Sequence, residues 1–165
     1  MRFLFYNIRY GTGHGPGYHL PLPFSGFFKT TGTKLGQIVS FIRSVNPDIV
    51  GLVEVDGGSY RSKKSCQVAA IANELDHYHV VETKYGENSM ANRVPVLNKQ
   101  GNGVLCRETI LSHQFHYFEE GVKRLVIEVE LLDVVIFIVH LSLKFKHRQQ
   151  QLEHLHRIVC TKKNR

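Results

Sequence analysis

The sequence predicts a mixed α/β domain in which helices cover the outer face of a β-sheet. Its length of 165 residues, with 42% hydrophobic and 21% charged residues, is typical of one globular domain with a substantial core. The first third alternates strand and helix patterns, and the remainder consists mainly of strand patterns before a final helix. This composition excludes disordered and collagen-like chains.

Strands and helices alternate in the first third of the chain. Residues 2–9 are rich in aromatic and aliphatic side chains, so we expect a strand buried on both faces. Residues 10–33 are rich in Gly and Pro and predict a long loop. Apolar residues at helical spacing then predict a helix that begins at Thr33 and ends at Asn46-Pro47. The next predicted elements are a strand over residues 49–55 and a helix over residues 62–76.

Strand patterns dominate the rest of the chain. They cover residues 79–83, 103–107, 110–118, 122–131 and 134–141. The last two are joined through Leu132-Asp133, which predicts an antiparallel hairpin. Helical spacing of apolar residues resumes near Lys146, so the chain is expected to finish in a helix.

Membrane-spanning and secreted classes are not indicated. The longest apolar run, residues 134–139, is far shorter than the roughly 18 residues that a membrane helix needs. Residues 3–6 are too short an apolar stretch for a secretory signal. The cysteines, Cys66, Cys106 and Cys160, are odd in number and form no C-x-x-C pair. We therefore expect reduced thiols and a cytoplasmic location.

The charge balance favours a polyanionic partner. The chain has 21 Lys and Arg against 14 Asp and Glu, a formal net charge of +7, and a sequence pI near 9.4. Nucleic acid, a phospholipid headgroup or a phosphate ester would each suit this excess. The alternative is a solvated lysine surface with no such partner. No feature indicates an obligate protein partner.

Three polar residues lie where apolar strands should end. Glu54 follows an apolar run and precedes a turn, a position that suits a Mg²⁺ ligand at the mouth of a sheet. His140 ends the most hydrophobic strand, where its surroundings can tune it for proton transfer. Asn7 is an amide within an apolar strand and needs a hydrogen-bond partner. Each also has a structural explanation: a solvated strand end, a satisfied core histidine and a bulge.

Four motifs, in this order, resemble the endonuclease/exonuclease/phosphatase family. They are Asn7-Ile8, then Asn46-Pro-Asp-Ile-Val with Glu54-Val-Asp56, then Gly101-Asn-Gly-Val-Leu-Cys-Arg107, and finally His140-Leu-Ser with Arg148 and Gln151. The resemblance covers essentially the whole chain. It implies a four-layer α-β-β-α sandwich of the deoxyribonuclease I-like type, in which two mixed sheets pack face to face and helices lie outside.

The resemblance also implies a function and a set of site residues. The activity would be hydrolysis of phosphodiesters or phosphomonoesters with Mg²⁺, or with Mn²⁺ as an alternative. Glu54 matches the metal-binding glutamate, and Asn7 matches an asparagine near the metal and the phosphate. His140 matches the histidine that contacts the scissile phosphate. Glu82 is placed as the acid that orients this histidine, and the motif residues Asn102 and Arg148 are placed as substrate-binding.

The chain also departs from the family pattern. Family members continue to a strand ending Gly-Asp-x-Asn and to a final Ser-Asp-His, and neither motif occurs in residues 1–165. The Asp76-His77 pair comes too early in the chain to be the second motif. We therefore expect a single partial domain that lacks its C-terminal catalytic strands, exposes an apolar sheet face and hydrolyses little or nothing alone.

Two further classes remain open from the sequence. A non-catalytic polyanion-binding protein could use residues 144–148 and 162–165, where cations are interleaved with an aromatic residue or run together. A zinc site could use one of the histidine pairs, although ten histidines produce such pairs by chance. The pairs are His77 with His79, His113 with His116, and His154 with His156.

Overall fold

The structure is a computed structural model that describes residues 1–12, 32–85 and 97–163. The strands in these ranges are β1 (Phe3–Asn7), β2 (Ile49–Asp56), β3 (Tyr78–Thr83), β4 (Gln100–Cys106), β5 (Ser112–Tyr117), β6 (Leu125–Glu130) and β7 (Val135–Val139). The helices are α1 (Gly32–Val45), α2 (Gln67–Leu75) and α3 (Phe145–Lys163). Most of the predicted loop at 10–33 lies outside the described residues.

The strands form two sheets. The first has the order β1-β2-β4-β3, with β1 parallel to β2 and the other neighbours antiparallel. The second is an antiparallel β5-β6-β7 sheet. The predicted hairpin between β6 and β7 is confirmed, and it closes where the Leu131 N–H donates to the Val134 carbonyl at 2.9 Å.

Two apolar cores hold the layers together. One lies between the first sheet and helices α1 and α2, where Ile42 and Ile71 pack against Leu52. The other lies between the two sheets, where Val53 and Val104 pack with Ile127. Helix α3 lies against the outer face of the second sheet, where Lys162 pairs with Glu128 of β6. The layers therefore run helix, sheet, sheet, helix, which confirms the expected deoxyribonuclease I-like sandwich.

The expectation that the first strand is buried on both faces is wrong. On one face, Leu4 and Tyr6 pack on the helix-side core. On the other, Phe3 and Phe5 are 47% and 49% exposed. Ile138 of β7 packs over Gly51 of β2, where a Cβ would lie 2.6 Å from its Cδ1. Phe3 and Phe5 of β1 therefore form an exposed apolar face.

The second helix begins later than predicted, at Gln67 instead of residue 62. Residues Tyr60–Ser62 form a single 3-10 turn. Lys63 and Lys64 then adopt left-handed conformations, with φ of 54° and 62°, which an α-helix cannot accommodate. In the part of the chain that the structure describes, no helix is long and apolar enough to cross a membrane.

Candidate active-site cleft

Two of the sequence-predicted residues, Glu54 and His140, meet in one cleft between the ends of the sheets. Glu54 Oε1 lies 3.9 Å from His140 Nε2 and 3.9 Å from Lys123 Nζ. All three side chains are between 20% and 26% exposed. The residues that line the cleft are Tyr10, Glu54, Lys84, Gly101, Asn102, Lys123, Arg124, Leu125 and His140.

Strand direction explains why these residues converge. Strands β2 and β3 end at the edge of the first sheet where β4 begins, because both are antiparallel to β4. In the second sheet, β6 begins where β7 ends. Glu54 and Lys84 therefore come from one sheet, and Lys123 and His140 come from the other. The cleft is the junction of these two edges.

A β-bulge aims Glu54 at the cleft. Val53 pairs with Asn102 and Val55 pairs with Gly101, so Glu54 is the extra residue between them. Its φ is 56°, a conformation that non-glycine residues rarely adopt. The Glu54 N–H donates to the Asn102 side-chain oxygen at 3.3 Å. The buried Asn102 amide therefore satisfies the backbone group that the bulge removes from the sheet.

The glycines on either side of Asn102 allow close packing of β4. A Cβ at Gly101 would lie 2.1 Å from the Glu82 carbonyl oxygen. A Cβ at Gly103 would lie 2.6 Å from a methyl group of Val68. Both distances are below contact, so only glycine fits at these positions. The Gly-Asn-Gly motif is thus a structural requirement for seating Asn102 beneath Glu54.

His140 is held as a neutral imidazole. The Lys123 ammonium has only donors and lies 2.5 Å from His140 Nε2, so this ring nitrogen accepts the hydrogen bond. Burial lowers the pKa of His140, and the nearby positive charges of Lys123 and Lys84 lower it further against the opposing effect of Glu54. At neutral pH this group is therefore available to take a proton.

Lys84 brings a second ammonium group into the cleft. Its Nζ donates to the Tyr10 hydroxyl at 3.0 Å and lies 5.2 Å from the centre of the Tyr85 ring. Burial lowers the pKa of Lys84 to about 8, although Glu54 opposes this. Burial likewise lowers the pKa of Lys123. Sequence reasoning missed both lysines, and the available signal was a cation adjacent to a strand end.

A buried network around Asp56 supports the cleft from below. Asp56 is fully buried, and its Oδ2 accepts from the Ser59 hydroxyl at 2.5 Å and from Arg61 Nη2 at 3.1 Å. The Arg61 guanidinium lies 5.1 Å from the centre of the Tyr10 ring, and Tyr10 in turn accepts from Lys84. Asp56 therefore positions Ser59 and Arg61, and its carboxylate oxygens are occupied by hydrogen bonds to these residues.

Gln151 of α3 ties together the segments that carry Lys123 and His140. Its Oε1 accepts from the Ser142 N–H at 2.8 Å. Its Nε2 donates to the carbonyls of Glu120 and Lys123, each at 2.8 Å. The side chain is 1% exposed. Gln151 therefore fixes the second-sheet side of the cleft.

Three predicted site residues lie apart from this cluster. Asn7 is exposed, does not line the cleft, and its Oδ1 accepts from the Arg9 N–H at 3.0 Å. The Glu82 carboxylate accepts from the Thr83 N–H and hydroxyl, and no hydrogen bond or ion pair among the described residues joins it to His140. Arg148 donates to the carbonyls of Ser142 and Leu143. The structure therefore gives Glu82 a local partner where we expected it to orient His140.

The histidine pairs have other partners. The ring nitrogens of His77 contact the carbonyls of Leu75 and Pro47, at 2.7 and 3.2 Å. His116 pairs with Glu128 at 2.7 Å, and the ring of His154 packs edge-on against Phe118. No cluster of three or more His, Cys, Asp or Glu that could hold a metal occurs within residues 1–12, 32–85 and 97–163.

Among the described residues that line the cleft, Glu54 is the one carboxylate that could ligate a divalent ion. Mg²⁺ is commonly bound through one or two carboxylates, with waters and substrate phosphate completing its shell. Glu54 supplies one, and its Oε1 lies 3.9 Å from both cations, beyond hydrogen-bond distance. Asp56 is excluded as a ligand because its oxygens accept from Ser59 and Arg61. Glu54 is therefore the metal candidate among the described residues.

A sandwich of two sheets with helices on its outer faces is the architecture of the deoxyribonuclease I-like class. Within that class, the chain belongs to the Endonuclease/Exonuclease/phosphatase family, whose sequence profile matches residues 4–164. The resemblance that the four motifs indicated is thereby confirmed. A comparison with curated protein sequences finds no match.

Solved structures share this fold at low sequence identity. An endonuclease/exonuclease/phosphatase from Beutenbergia cavernae is 19% identical with a TM-score of 0.56, over 92% of this chain and 42% of that one. A functionally unknown conserved protein from Enterococcus faecalis is 14% identical with a TM-score of 0.57, over 94% and 61%. A 3'-5' exonuclease from Neisseria meningitidis is 19% identical with a TM-score of 0.56, over 82% and 50%. The chain thus spans about half the length of these proteins.

Proposed function

We propose that the cleft is a phosphoesterase site that acts on phosphodiesters or phosphomonoesters. The observation that carries this proposal is the convergence of Glu54, His140 and Lys123 within 4 Å, from the ends of two different sheets. A phosphate ester needs cations for its oxygens and a base for the attacking water. Family membership supports the same class of reaction.

Each side chain has a role that follows from its surroundings. Glu54 would hold Mg²⁺, or Mn²⁺ in its place, and the ion would neutralise charge on a phosphate oxygen when bound. Lys84 and Lys123 bind the remaining phosphate oxygens. A phosphate that takes up the Lys123 ammonium releases His140 Nε2 from its present hydrogen bond. That nitrogen then accepts a proton from the attacking water.

The residues outside the cluster keep smaller proposed roles. Asn102 supports substrate binding through its hold on the Glu54 backbone. Asn7 sits opposite Val53, next to the Glu54 bulge, so a place at the edge of a bound phosphate remains our proposal. Arg148 contributes at the loop that follows His140, whose carbonyls it now binds. We assign Glu82 no step.

The first substrates to assay are nucleic acids. The related Neisseria meningitidis fold is described as a 3'-5' exonuclease, and a second structure as a 3' phosphatase bound to a product DNA hairpin. The free cysteines and the basic charge of this chain suit a cytoplasmic protein with a polyanionic substrate. A phospholipid headgroup is the alternative source of the phosphate ester.

A non-catalytic polyanion-binding role is the second candidate. The observation that favours it is the pair of ammonium groups, Lys84 and Lys123, which face the cleft with a single carboxylate. Such a site can bind phosphate with no metal and no reaction. Phosphate binding that survives Glu54→Gln, without hydrolysis in the unsubstituted chain, would favour this role over the first.

The test compares Glu54→Gln with Glu74→Gln in the 165-residue chain. Glu74 is a matched control because its carboxylate is 61% exposed and pairs only with surface Arg43 among the described residues. Hydrolysis of bis(p-nitrophenyl) phosphate and p-nitrophenyl phosphate is measured with and without Mg²⁺. We expect weak turnover that falls by about a hundredfold or more in Glu54→Gln and is unchanged in the control.

Calorimetric titration with inorganic phosphate provides an independent measure. Lys84→Gln and Lys123→Gln should each weaken phosphate binding by about tenfold, because each variant loses one charge-assisted hydrogen bond. Turnover that is equal in the unsubstituted chain and Glu54→Gln would contradict the phosphoesterase proposal. A phosphate affinity that is unchanged in both lysine variants would contradict both candidate functions.

A further inference from the structure

Three exposed apolar side chains lie on the segments that follow His140 and precede Lys123. Val122, Leu143 and Phe145 are 66%, 86% and 67% exposed. Val122 immediately precedes Lys123, and Leu143 is three positions after His140. We call Val122, Leu143 and Phe145 the apolar rim. The rim therefore lies on the two loops that carry one side of the candidate site.

The two loops of the rim form one rigid unit. Gln151 joins the Ser142 N–H to the carbonyls of Glu120 and Lys123. Gly121 has a φ of +87°, and a Cβ built there would lie 3.6 Å from Ser142 Cβ and 3.0 Å from Gln151 Nε2. The Gln151 side chain and the close packing at Gly121 therefore hold the two loops near each other.

Basic side chains alternate with the apolar ones. Lys144 and Lys146 are exposed on either side of Phe145. The Arg148 guanidinium lies 5.8 Å from the centre of the Phe145 ring and supports the ring from behind. The opposing charges on the neighbouring loop are the exposed Glu119 and Glu120. With Lys123 included, cations outnumber carboxylates along the rim by four to two.

We propose that the apolar rim docks on the surface of a bilayer that contains anionic phospholipids. Outward aliphatic and aromatic side chains flanked by lysines are the combination that partitions into the headgroup region. The lysines add attraction to anionic headgroups. Val122 and Leu143 favour a bilayer over nucleic acid, because aliphatic side chains provide no stacking surface for bases.

Docking through the rim would place the cleft against the membrane surface. His140 and Lys123 adjoin the rim in sequence, so a phosphate carried by a headgroup would face them. Contact would be peripheral, since no helix in the described ranges can cross a bilayer. This inference goes beyond the phosphoesterase proposal and does not depend on it, because binding requires no reaction.

The test is co-sedimentation of the full 165-residue chain with vesicles of phosphatidylcholine alone or mixed equally with phosphatidylserine. We expect binding to the mixed vesicles that weakens with salt. The double variant Leu143→Ser/Phe145→Ser should bind at least about tenfold more weakly, through loss of apolar burial. Lys144→Gln/Lys146→Gln should bind about thirtyfold more weakly to the anionic vesicles.

Leu132→Ser is the matched control for the serine variants. Leu132 is 79% exposed in the turn between β6 and β7, at the opposite end of the second sheet from His140. We expect it to leave vesicle binding unchanged, as should Glu74→Gln, whose carboxylate is 61% exposed on α2. An unchanged thermal unfolding midpoint in each variant confirms that the fold is retained.

Three outcomes would overturn the inference. One is no binding of the unsubstituted chain to the mixed vesicles. Another is an equal loss of binding in Leu132→Ser and in the double serine variant. The third is binding to a single-stranded oligonucleotide, with none to vesicles, that the double serine variant abolishes, since the rim would then be a nucleic-acid surface.

Discussion

Removing the Asp56 carboxylate should destabilise the fold far more than removing an exposed carboxylate. Asp56 is fully buried and pairs with Arg61, whose side chain is 3% exposed. Asp56→Ala would remove the carboxylate that the buried Arg61 guanidinium contacts at 3.1 Å, and breaking a buried ion pair from one side costs about 3–5 kcal/mol. The loop would also lose an acceptor for the Gly58 and Ser59 N–H groups. The free energy of unfolding of a domain is roughly 5–15 kcal/mol, so the Asp56→Ala variant should be only marginally stable.

Urea unfolding followed by circular dichroism measures this effect. With a slope of about 2 kcal/mol per molar urea, the midpoint should fall by about 2 M. Glu74→Ala is the control, because its ion pair with Arg43 is exposed on both sides. That variant should change the free energy of unfolding by less than about 1 kcal/mol. Equal shifts in the two variants would refute the argument from burial.

Asp56→Asn separates charge from hydrogen bonding at the same position. The amide keeps an acceptor for the Ser59 N–H but removes the negative charge that faces Arg61. If the buried charge pair dominates, Asp56→Asn should lose most of the stability that Asp56→Ala loses. A near-normal midpoint for Asp56→Asn would instead attribute the effect to the loop hydrogen bonds.

Three further predictions concern glycine packing and the protonation of the cleft. In thermal unfolding, Gly101→Ala should destabilise the fold by about 1–3 kcal/mol or more, because the added Cβ would overlap the Glu82 carbonyl. Gly36→Ala in α1 should stabilise the fold by up to about 1 kcal/mol, because the space around its Cβ is open. By NMR titration, the pKa of His140 should lie below 6.5 in the folded chain and should rise in Lys123→Met. Between the folded-state pKa and the unfolded value of 6.5, the unfolded chain binds more protons than the folded chain. The free energy of unfolding should therefore decrease as the pH falls through that window. Phosphate binding should weaken as the pH rises through about 8, where Lys84 loses its charge, and a flat profile in calorimetric titrations from pH 7 to 9 would count against its role.

Most element types could be predicted from the sequence, because their signals are local. The apolar spacing of α1 ends at Asn46-Pro47 in the chain, and the helix ends at Val45 in the structure. The start of α2 was misplaced because Lys63 and Lys64 carry no pattern that indicates their left-handed conformation. In that loop the Lys64 N–H donates to the Ser59 carbonyl, and the Ser59 N–H donates to Asp56, contacts that no local sequence pattern shows.

Two partners of the site could be predicted, and two could not. Glu54 and His140 each follow an apolar run in the sequence. A polar residue in that position indicates a side chain at the end of a strand, at the edge of the sheet. Lys84 and Lys123 look like ordinary surface cations in the sequence. Their role appears only when antiparallel pairing brings the ends of β3 and β7 and the start of β6 to one place. The bond between Glu82 and the adjacent Thr83 likewise becomes visible only in the structure.

The sequence by itself indicated the family and, through that resemblance, the layer order, and it singled out Glu54 and His140 as candidate site residues. Periodicity and motif order can be read along the chain, because neither depends on contacts between residues that are distant in sequence. Tertiary structure alone decided that burial, with Lys123 nearby, lowers the pKa of His140, that Asp56 is buried in an ion pair with Arg61, and that exposed apolar side chains lie on the loops beside the cleft. Each of these depends on distances between residues far apart in the chain, and those distances are set by strand pairing and packing.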